Sequence, residues 1–174
     1  VIKIEPFAGD TQRTQGPGFG CELTDTEDPT IDLNNTNKNW VSLNLKSPEG
    51  IAIAKKMIGE ADIFMNNMRT SALEKLGLDY PTLSKEFPSL IWAQMRGYGE
   101  FGEFAHAPGY DAVCWAARGG VAGTFCEKGT SPAIPPQAFG DYNTAIMMAA
   151  GILGALVNNE RNGNGDKVVV NLYH

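Results

Sequence analysis

The chain has 174 residues, enough for one domain with a hydrophobic core, and its 43% hydrophobic content is ordinary for a soluble globular protein. Fourteen basic residues against twenty acidic ones give a formal net charge of -6. This balance excludes the broad basic surface of a nucleic-acid or anionic-membrane binder, so an anionic ligand must be held by a local cluster of cations.

The three cysteines, Cys21, Cys114 and Cys126, have no CxxC spacing, which argues against a disulfide framework or a zinc site. We therefore expect no metal and a reducing, cytoplasmic environment. No apolar run approaches the ~18 residues that a membrane span needs, and no signal sequence opens the chain. The chain begins without Met in a strand-like run at 1–5 and stops in another at 167–172, so we expect a piece of a longer protein.

Short apolar strands alternate with helices along the chain. Patterning predicts strands at 1–5, 40–45, 61–66, 90–98 and 167–172, helices at 47–60, 71–76, 80–87, 110–118 and from 141 onward, and loops at 6–39 and 119–140. Ser47 and Thr70 are predicted helix N-caps, and Gly77 is a predicted helix stop. The last helix is apolar almost all round from 145 to 157, which predicts a buried central helix. The alternation indicates an α/β fold with a mostly parallel sheet, right-handed crossovers and helices on both faces.

The segment from Gly97 to Gly102 matches the GxGxxG pattern directly after a predicted strand. A dinucleotide site requires the loop to run straight into a helix, whereas residues 104–108 intervene and no ribose-binding acid follows at the expected distance. An NAD site is therefore disfavoured. Hydrolase chemistry is also poorly supported, because no P-loop, HExxH or GxSxG occurs and neither His106 nor His174 lies in a triad context.

Asp141 is the strongest candidate for a catalytic residue, because it follows a flexible Gly140 and opens the last helix. Aspartate is among the commonest helix N-caps, so a purely structural role stays open. The two roles are compatible, since a helix N-terminus keeps a carboxylate ionised and stabilises oxyanions formed beside it.

Several runs, taken together, resemble the family III CoA transferases. They are VIKIE at 1–5, LNLKSPEG at 43–50, ALEKLGLDY at 72–80, GYG at 97–99, PGYD at 108–111, GD at 140–141, GILGAL at 151–156 and GNGDKV at 163–168. The runs keep the family's order over essentially the whole chain, which is more specific than any one motif. Residues 118–121, 123–124 and 127–130 resemble most closely the transferases of (R)-2-hydroxy acids such as phenyllactate and 2-hydroxyisocaproate.

The resemblance implies that residues 1–174 are part of a Rossmann-like large domain, truncated at both ends and lacking an N-terminal strand and helix and a C-terminal small domain. It implies an interlocked homodimer with its active site between subunits, so the fragment alone is expected to be inactive. It also implies that Asp141 attacks an acyl-CoA thioester to form a mixed anhydride and then an aspartyl-CoA thioester. CoA thereby passes to a free carboxylic acid, here an (R)-2-hydroxy acid.

By the same resemblance, seven residues bind coenzyme A, which is present as the acyl-CoA substrate. They are Leu43, Lys46, Asn67, Met68, Lys75, Arg96 and Tyr98. The three cations suit the CoA phosphates. The structural alternatives are that Lys46 and Lys75 are solvated charges beside helices and that Met68 is a core residue.

Two other functions stay open. An α-methylacyl-CoA racemase resembles this family in fold and CoA site, but the racemases place a His where this chain has Tyr110, and a tyrosine is a poor base near neutral pH. A catalytically silent CoA-binding or dimerisation module is the third possibility.

Overall fold

A computed structural model of the chain describes residues 1–24, 27–132 and 135–173, without the side chain of Phe19. His174, residues 25–26 of the predicted 6–39 loop and residues 133–134 of the predicted 119–140 loop lie outside this described part. The chain divides into two compact units, Val1–Lys56 and Met57–His174. Each unit has a parallel sheet of its own.

The first unit pairs β1 (Ile2–Glu5) in parallel with β2 (Asn39–Ser42). Two 3-10 turns, Thr11–Thr14 and Gly16–Phe19, and helix α1 (Pro29–Asn35) connect the strands. The Asp28 side chain accepts the Ile31 N–H and so caps α1. The prediction of a loop throughout 6–39 is therefore wrong, since the Asp-Pro pair at 28–29 is a helix start. Helix α2 (Pro48–Gly59) follows, and the Ser47 hydroxyl accepts the Gly50 N–H at 3.1 Å, as predicted for its cap.

The second unit contains a parallel sheet with the order β3, β4, β5. Its strands are β3 (Ile63–Asn66), β4 (Ile91–Arg96) and β5 (Asp166–Asn171). Between β3 and β4 lie α3 (Thr70–Leu76) and α4 (Tyr80–Glu86). Between β4 and β5 lie a π-helix (Ala112–Arg118), α5 (Val121–Thr124) and α6 (Phe139–Asn162). The predicted parallel α/β architecture is confirmed.

Helices cover both faces of this sheet. Trp92 on the central strand β4 is 3% exposed, and its indole N–H donates to the Leu78 carbonyl while its ring lies 5.9 Å from that of Tyr80 in α4. On the opposite face of the sheet, Val168 of β5 packs closely against Gly151 of α6. A Cβ added to Gly151 would lie only 2.7 Å from Cγ1 of Val168. The central strand is therefore buried on both sides, which explains the apolar residues of its first half.

The first glycine of the GxGxxG pattern allows two backbone segments to cross closely. Gly97 follows β4 and touches Gly109 so closely that a Cβ on Gly97 would lie 2.6 Å from the Gly109 Cα. The next helical residue after this pattern is Ala112, so no helix N-terminus faces the turn as a dinucleotide loop requires. The geometry supports the sequence-based argument against an NAD site.

Three predicted helix starts are wrong. Helix α6 begins at Phe139, two residues before Asp141, with Ala138 in the left-handed region as its N-cap. Helix α3 begins at Thr70, so Arg69 is its N-cap and Thr70 is not. The helix predicted from Tyr110 begins at Ala112 and is a π-helix. Gly77 is confirmed as the stop of α3, with φ of 63°.

Helix α6 is also not buried all round. Ile146, Met147 and Leu153 are 69%, 55% and 62% exposed. Contrary to the prediction that no run suffices for a membrane span, α6 is long and apolar enough by length and composition. Its other side packs on β4 and β5 through buried residues such as Met148 and Ala155, as a core helix of an α/β protein does.

Candidate active site

A cleft of about 430 Å³ opens in the second unit, where the chain leaves β3 and β4. The carboxyl ends of parallel strands are where open α/β sheets bind ligands. Five of the predicted site residues line this cleft together: Asn67, Met68, Arg96, Tyr98 and Asp141. The structure thus brings the candidate nucleophile to the same cavity as four of the seven predicted CoA contacts.

Asp141 lies in the first turn of α6 and is half-buried. Burial raises the pKa of its carboxyl above the ordinary value, and the neighbouring Asp111 carboxylate raises it further. Burial and the like charge of Asp111 thus act against the ionisation of Asp141, which the helix N-terminus favours.

Asp111 is the neighbour that sequence reasoning missed as a functional group. It precedes the π-helix, is half-buried and lines the same cleft. Burial raises the pKa of its carboxyl, and the N–H groups of Gly140, Ala138 and Asp141 act against that rise. Within the described residues its Oδ1 is buried without a close hydrogen-bond partner. The three N–H groups thus face the carboxylate, but at more than hydrogen-bond distance from Oδ1. They stabilise the negative charge of Asp111 only in part.

Gly140 allows Asp111 to approach the start of α6. It is buried, and a Cβ built on it would lie 2.1 Å from Asp111 Oδ1 and 2.4 Å from Cγ of Trp115. The Thr144 hydroxyl donates to the Gly140 carbonyl at 2.8 Å. Gly140 is thus a tightly packed helical residue, and the prediction that it is flexible is wrong.

Arg96 is held in place by its neighbours. Its side chain is 11% exposed, Nη2 donates to the Ala105 carbonyl at 2.8 Å, and Nη1 lies 3.6 Å from Glu100 Oε1. Lys167 contacts the same carboxylate oxygen at 2.5 Å. Arg96 therefore stabilises the loop that forms one wall of the cleft, and Glu100 offsets part of its positive charge.

Tyr98 is also strongly engaged by protein. It is 5% exposed, and its ring lies 5.6 Å from that of Phe104 and 5.8 Å from that of Tyr173. Met68 is half-buried, and its carbonyl accepts from Gln94 Nε2 at 2.7 Å. Asn67 beside it is exposed. Of these three, Asn67 presents the most accessible surface to a ligand.

The remaining predicted CoA contacts lie elsewhere. Lys75 is exposed on α3, outside the lining of this cleft. Leu43 and Lys46 belong to the first unit, where Leu43 donates its N–H to the Glu5 carbonyl and Lys46 is exposed. Their roles in CoA binding stay predictions.

The cleft also holds polar groups that the sequence analysis did not assign. Thr70 Oγ1 is buried there without a hydrogen-bond partner among the described residues, and Arg69 and His106 line the wall. Tyr110 lies at the mouth and is 78% exposed. Among the described residues, no group of three or more His, Cys, Asp or Glu side chains is placed to hold a metal ion.

Comparison with known proteins identifies relatives over the whole chain. The family model "CoA-transferase family III" matches residues 1–174. The chain is 45% identical to (R)-2-hydroxy-4-methylpentanoate CoA-transferase of Clostridioides difficile and 48% identical to cinnamoyl-CoA:phenyllactate CoA-transferase of Clostridium sporogenes. Each alignment covers 100% of this chain but only 44% and 42% of the respective relative.

A solved structure is similar as well. The crystal structure of a CaiB/BaiF family protein from Brucella suis superposes with a TM-score of 0.90 at 29% identity. The match covers 99% of this chain and 46% of that protein. The chain therefore spans less than half the length of the relatives it matches.

Proposed function

The chain belongs to CoA-transferase family III, and on that premise we propose that the protein carrying it moves CoA from an acyl-CoA to a free carboxylic acid through Asp141. The observation that carries this proposal is the position of Asp141 in the cleft, half-buried among predicted CoA contacts. A half-buried carboxylate is a suitable nucleophile for a reaction whose acyl bond energy must not be lost to water.

The proposed reaction has four steps that balance. A carboxylate oxygen of Asp141 attacks the thioester carbonyl, the C–S bond breaks, and CoA thiolate leaves behind a mixed anhydride. The thiolate then attacks the Asp141 carbonyl carbon, which releases the first acid and leaves an aspartyl-CoA thioester. The acceptor carboxylate attacks that thioester and expels the thiolate. The thiolate finally attacks the acceptor's acyl carbon, which yields the new acyl-CoA and regenerates the Asp141 carboxylate.

An (R)-2-hydroxy acid is the substrate class we propose. Two relatives at 45% and 48% identity are named for (R)-2-hydroxy-4-methylpentanoate and phenyllactate. Coenzyme A enters as the acyl-CoA substrate, and the cations predicted for its site suit its phosphates. The chemistry proposed for Asp141 calls for no metal.

We further propose that residues 1–174 are part of the large domain of a cytoplasmic, interlocked homodimer. The relatives are more than twice as long as this chain. The apolar side chains exposed on α6, among them Ile146 and Leu153, are of the kind that further protein covers.

The experiment that tests this function is Asp141→Asn in the full-length protein, with Asp79→Asn as matched control. Asp79 is a true cap, because its carboxylate accepts the Thr82 N–H at the start of α4. If Asp141 is the nucleophile, its variant should fold but lose transfer by several orders of magnitude. The Asp79 variant should lose at most ~1 kcal/mol of stability and keep its activity.

Mass spectrometry supplies the direct measurement. Enzyme quenched during turnover should yield a peptide containing Asp141 that carries CoA, or a hydroxamate after hydroxylamine treatment. Normal transfer by Asp141→Asn, or an adduct on another carboxylate, would contradict the proposed function.

A further inference from the structure

Asp111 and Asp141 lie on different elements and meet at one end of the cleft. We propose that Asp111 is a positioning residue for the Asp141 nucleophile: it holds the first turn of α6 against the π-helix and places a second negative charge beside the reacting carboxylate. This inference rests on the proposed function, because it gives Asp111 a role only if Asp141 is acylated.

The positional part of the inference follows from the contact at Gly140. The Asp111 carboxylate occupies the space where a side chain at 140 would begin, 2.1 Å from that ideal Cβ. The N–H groups of Ala138, Gly140 and Asp141, which have no partner within their own helix at its first turn, face the same carboxylate. Asp111 therefore places its charge opposite these N–H groups from another element, at an α6 start whose N-cap residue, Ala138, provides no side-chain cap.

The electrostatic part follows from the balance of charges in the cleft. The negative charge of Asp111 disfavours the anionic form of Asp141, and this repulsion disappears when Asp141 becomes a neutral anhydride or thioester. Acylation is thereby favoured relative to an isolated aspartate. The other titratable or charged residues that line the cleft are Arg69, Arg96, Tyr98, His106 and Tyr110. Of these, Arg96 is already paired with Glu100.

The test compares Asp111→Asn, Asp111→Glu and Phe139→Ala in the full-length protein. The Asn variant keeps the size of the side chain and removes its charge, and the Glu variant keeps the charge. Phe139→Ala removes the ring that lies 5.5 Å from Trp115 and so loosens the start of α6 without changing a carboxylate. The readout is the pH dependence of the first acylation of Asp141 by acyl-CoA, measured in a single turnover.

With Asp111→Asn the neutral amide no longer attracts the N–H groups at the start of α6, so we expect Asp141 to shift. The acylation rate should fall by about 100-fold at its optimum, because a displacement near 1 Å has that effect on a reacting group. The acid limb of the pH profile, where the acylation rate falls as pH decreases, should move to lower pH. The reason is that loss of the neighbouring charge lowers the pKa of Asp141. Asp111→Glu should keep the acid limb of the parent, and Phe139→Ala should slow the reaction without moving that limb.

The outcomes separate the two proposals. An Asp141→Asn enzyme that still transfers CoA overturns the proposed function itself. If Asp141→Asn is inactive while Asp111→Asn keeps both the rate and the acid limb, only the role of Asp111 is overturned. The same conclusion follows if Phe139→Ala moves the acid limb as far as Asp111→Asn, because loosening alone then accounts for the shift.

Discussion

Replacing Gly140 with Ala probes the packing that brings Asp111 to Asp141. The added methyl would start 2.1 Å from Asp111 Oδ1, 2.4 Å from Trp115 Cγ and 2.5 Å from Trp115 Cδ2. Restoring an ordinary contact of 3.4 Å to the carboxylate requires a shift of more than ~1 Å. Trp115 cannot easily move away, because it packs against the buried cluster of Tyr98, Cys114 and Leu172.

The expected change in stability is a difference of two opposing effects. Overpacking costs about 1–3 kcal/mol, whereas Ala in a helix gains about 1 kcal/mol over Gly. We therefore expect the Gly140→Ala chain to lose about 1 kcal/mol in the free energy of unfolding. In the full-length protein, displacement of Asp111 or Asp141 by ~1 Å should reduce transfer by about 100-fold.

Gly154→Ala is the matched control in the same helix. No described atom of another element lies within 4 Å of a Cβ built at Gly154, so this substitution should raise the stability of the chain by up to about 1 kcal/mol. Urea unfolding of both variants against the parent measures the difference, which we expect to be about 2 kcal/mol. Equal stabilisation by the two substitutions would refute the close packing at Gly140.

Two further predictions concern the chemistry and the surface. By resemblance, Tyr110 stands where the racemases have a His. Without an acid acceptor, the full-length protein should therefore not exchange the α-proton of a chiral acyl-CoA with deuterium oxide. Rapid α-deuteration, measured by mass spectrometry, would assign the protein to the racemases instead. Leu153→Gln, at a side chain 62% exposed, should change the unfolding free energy of the chain by less than ~0.5 kcal/mol and reduce its aggregation in light scattering. Met148 on the same helix is only 3% exposed, so Met148→Gln should destabilise the chain by about 2–5 kcal/mol. A similar loss for Leu153→Gln would contradict the exposure of Leu153.

The strands were predictable because their signal is local. The central strand β4 begins with the apolar residues Ile91, Trp92 and Ala93, and burial on both faces favours that composition. A hydroxyl or carboxylate residue directly before a proline is an equally local signal for a helix start. This signal correctly predicts Ser47 as the N-cap of α2. The same signal, Asp28 before Pro29, was present in the first unit and was overlooked because the helix after it is rich in Asn and Thr.

The exposed side of α6 could not be predicted from periodicity. A helix that is apolar all round reads as buried, yet Ile146 and Leu153 are exposed in this chain. The hydrophobicity of a helix shows how much of its surface can be buried. How much is actually buried depends on the other elements that pack against the helix. The chain spans less than half the length of the two relatives that it matches at 45% and 48% identity, so those relatives have further protein beyond the matched part.

The link between Asp111 and Asp141 was beyond sequence reasoning for a different reason. It is a contact between two elements that are distant in sequence, because the Asp111 carboxylate meets the start of α6 at Gly140. Asp111 and Trp115, four residues apart, lie on the same side of their helical segment, and both contact the position of a Gly140 side chain. The segment that follows Asp111 is a π-helix, with a hydrogen bond from the Gly119 N–H to the Cys114 carbonyl at 2.9 Å. An apolar segment that forms an α-helix has the same residue pattern as one that forms a π-helix, so the sequence predicts the helix and not its form. Because π-helices are rare and are found frequently at functional sites, the π-helix beside Asp111 is a further argument that this end of the cleft is functional.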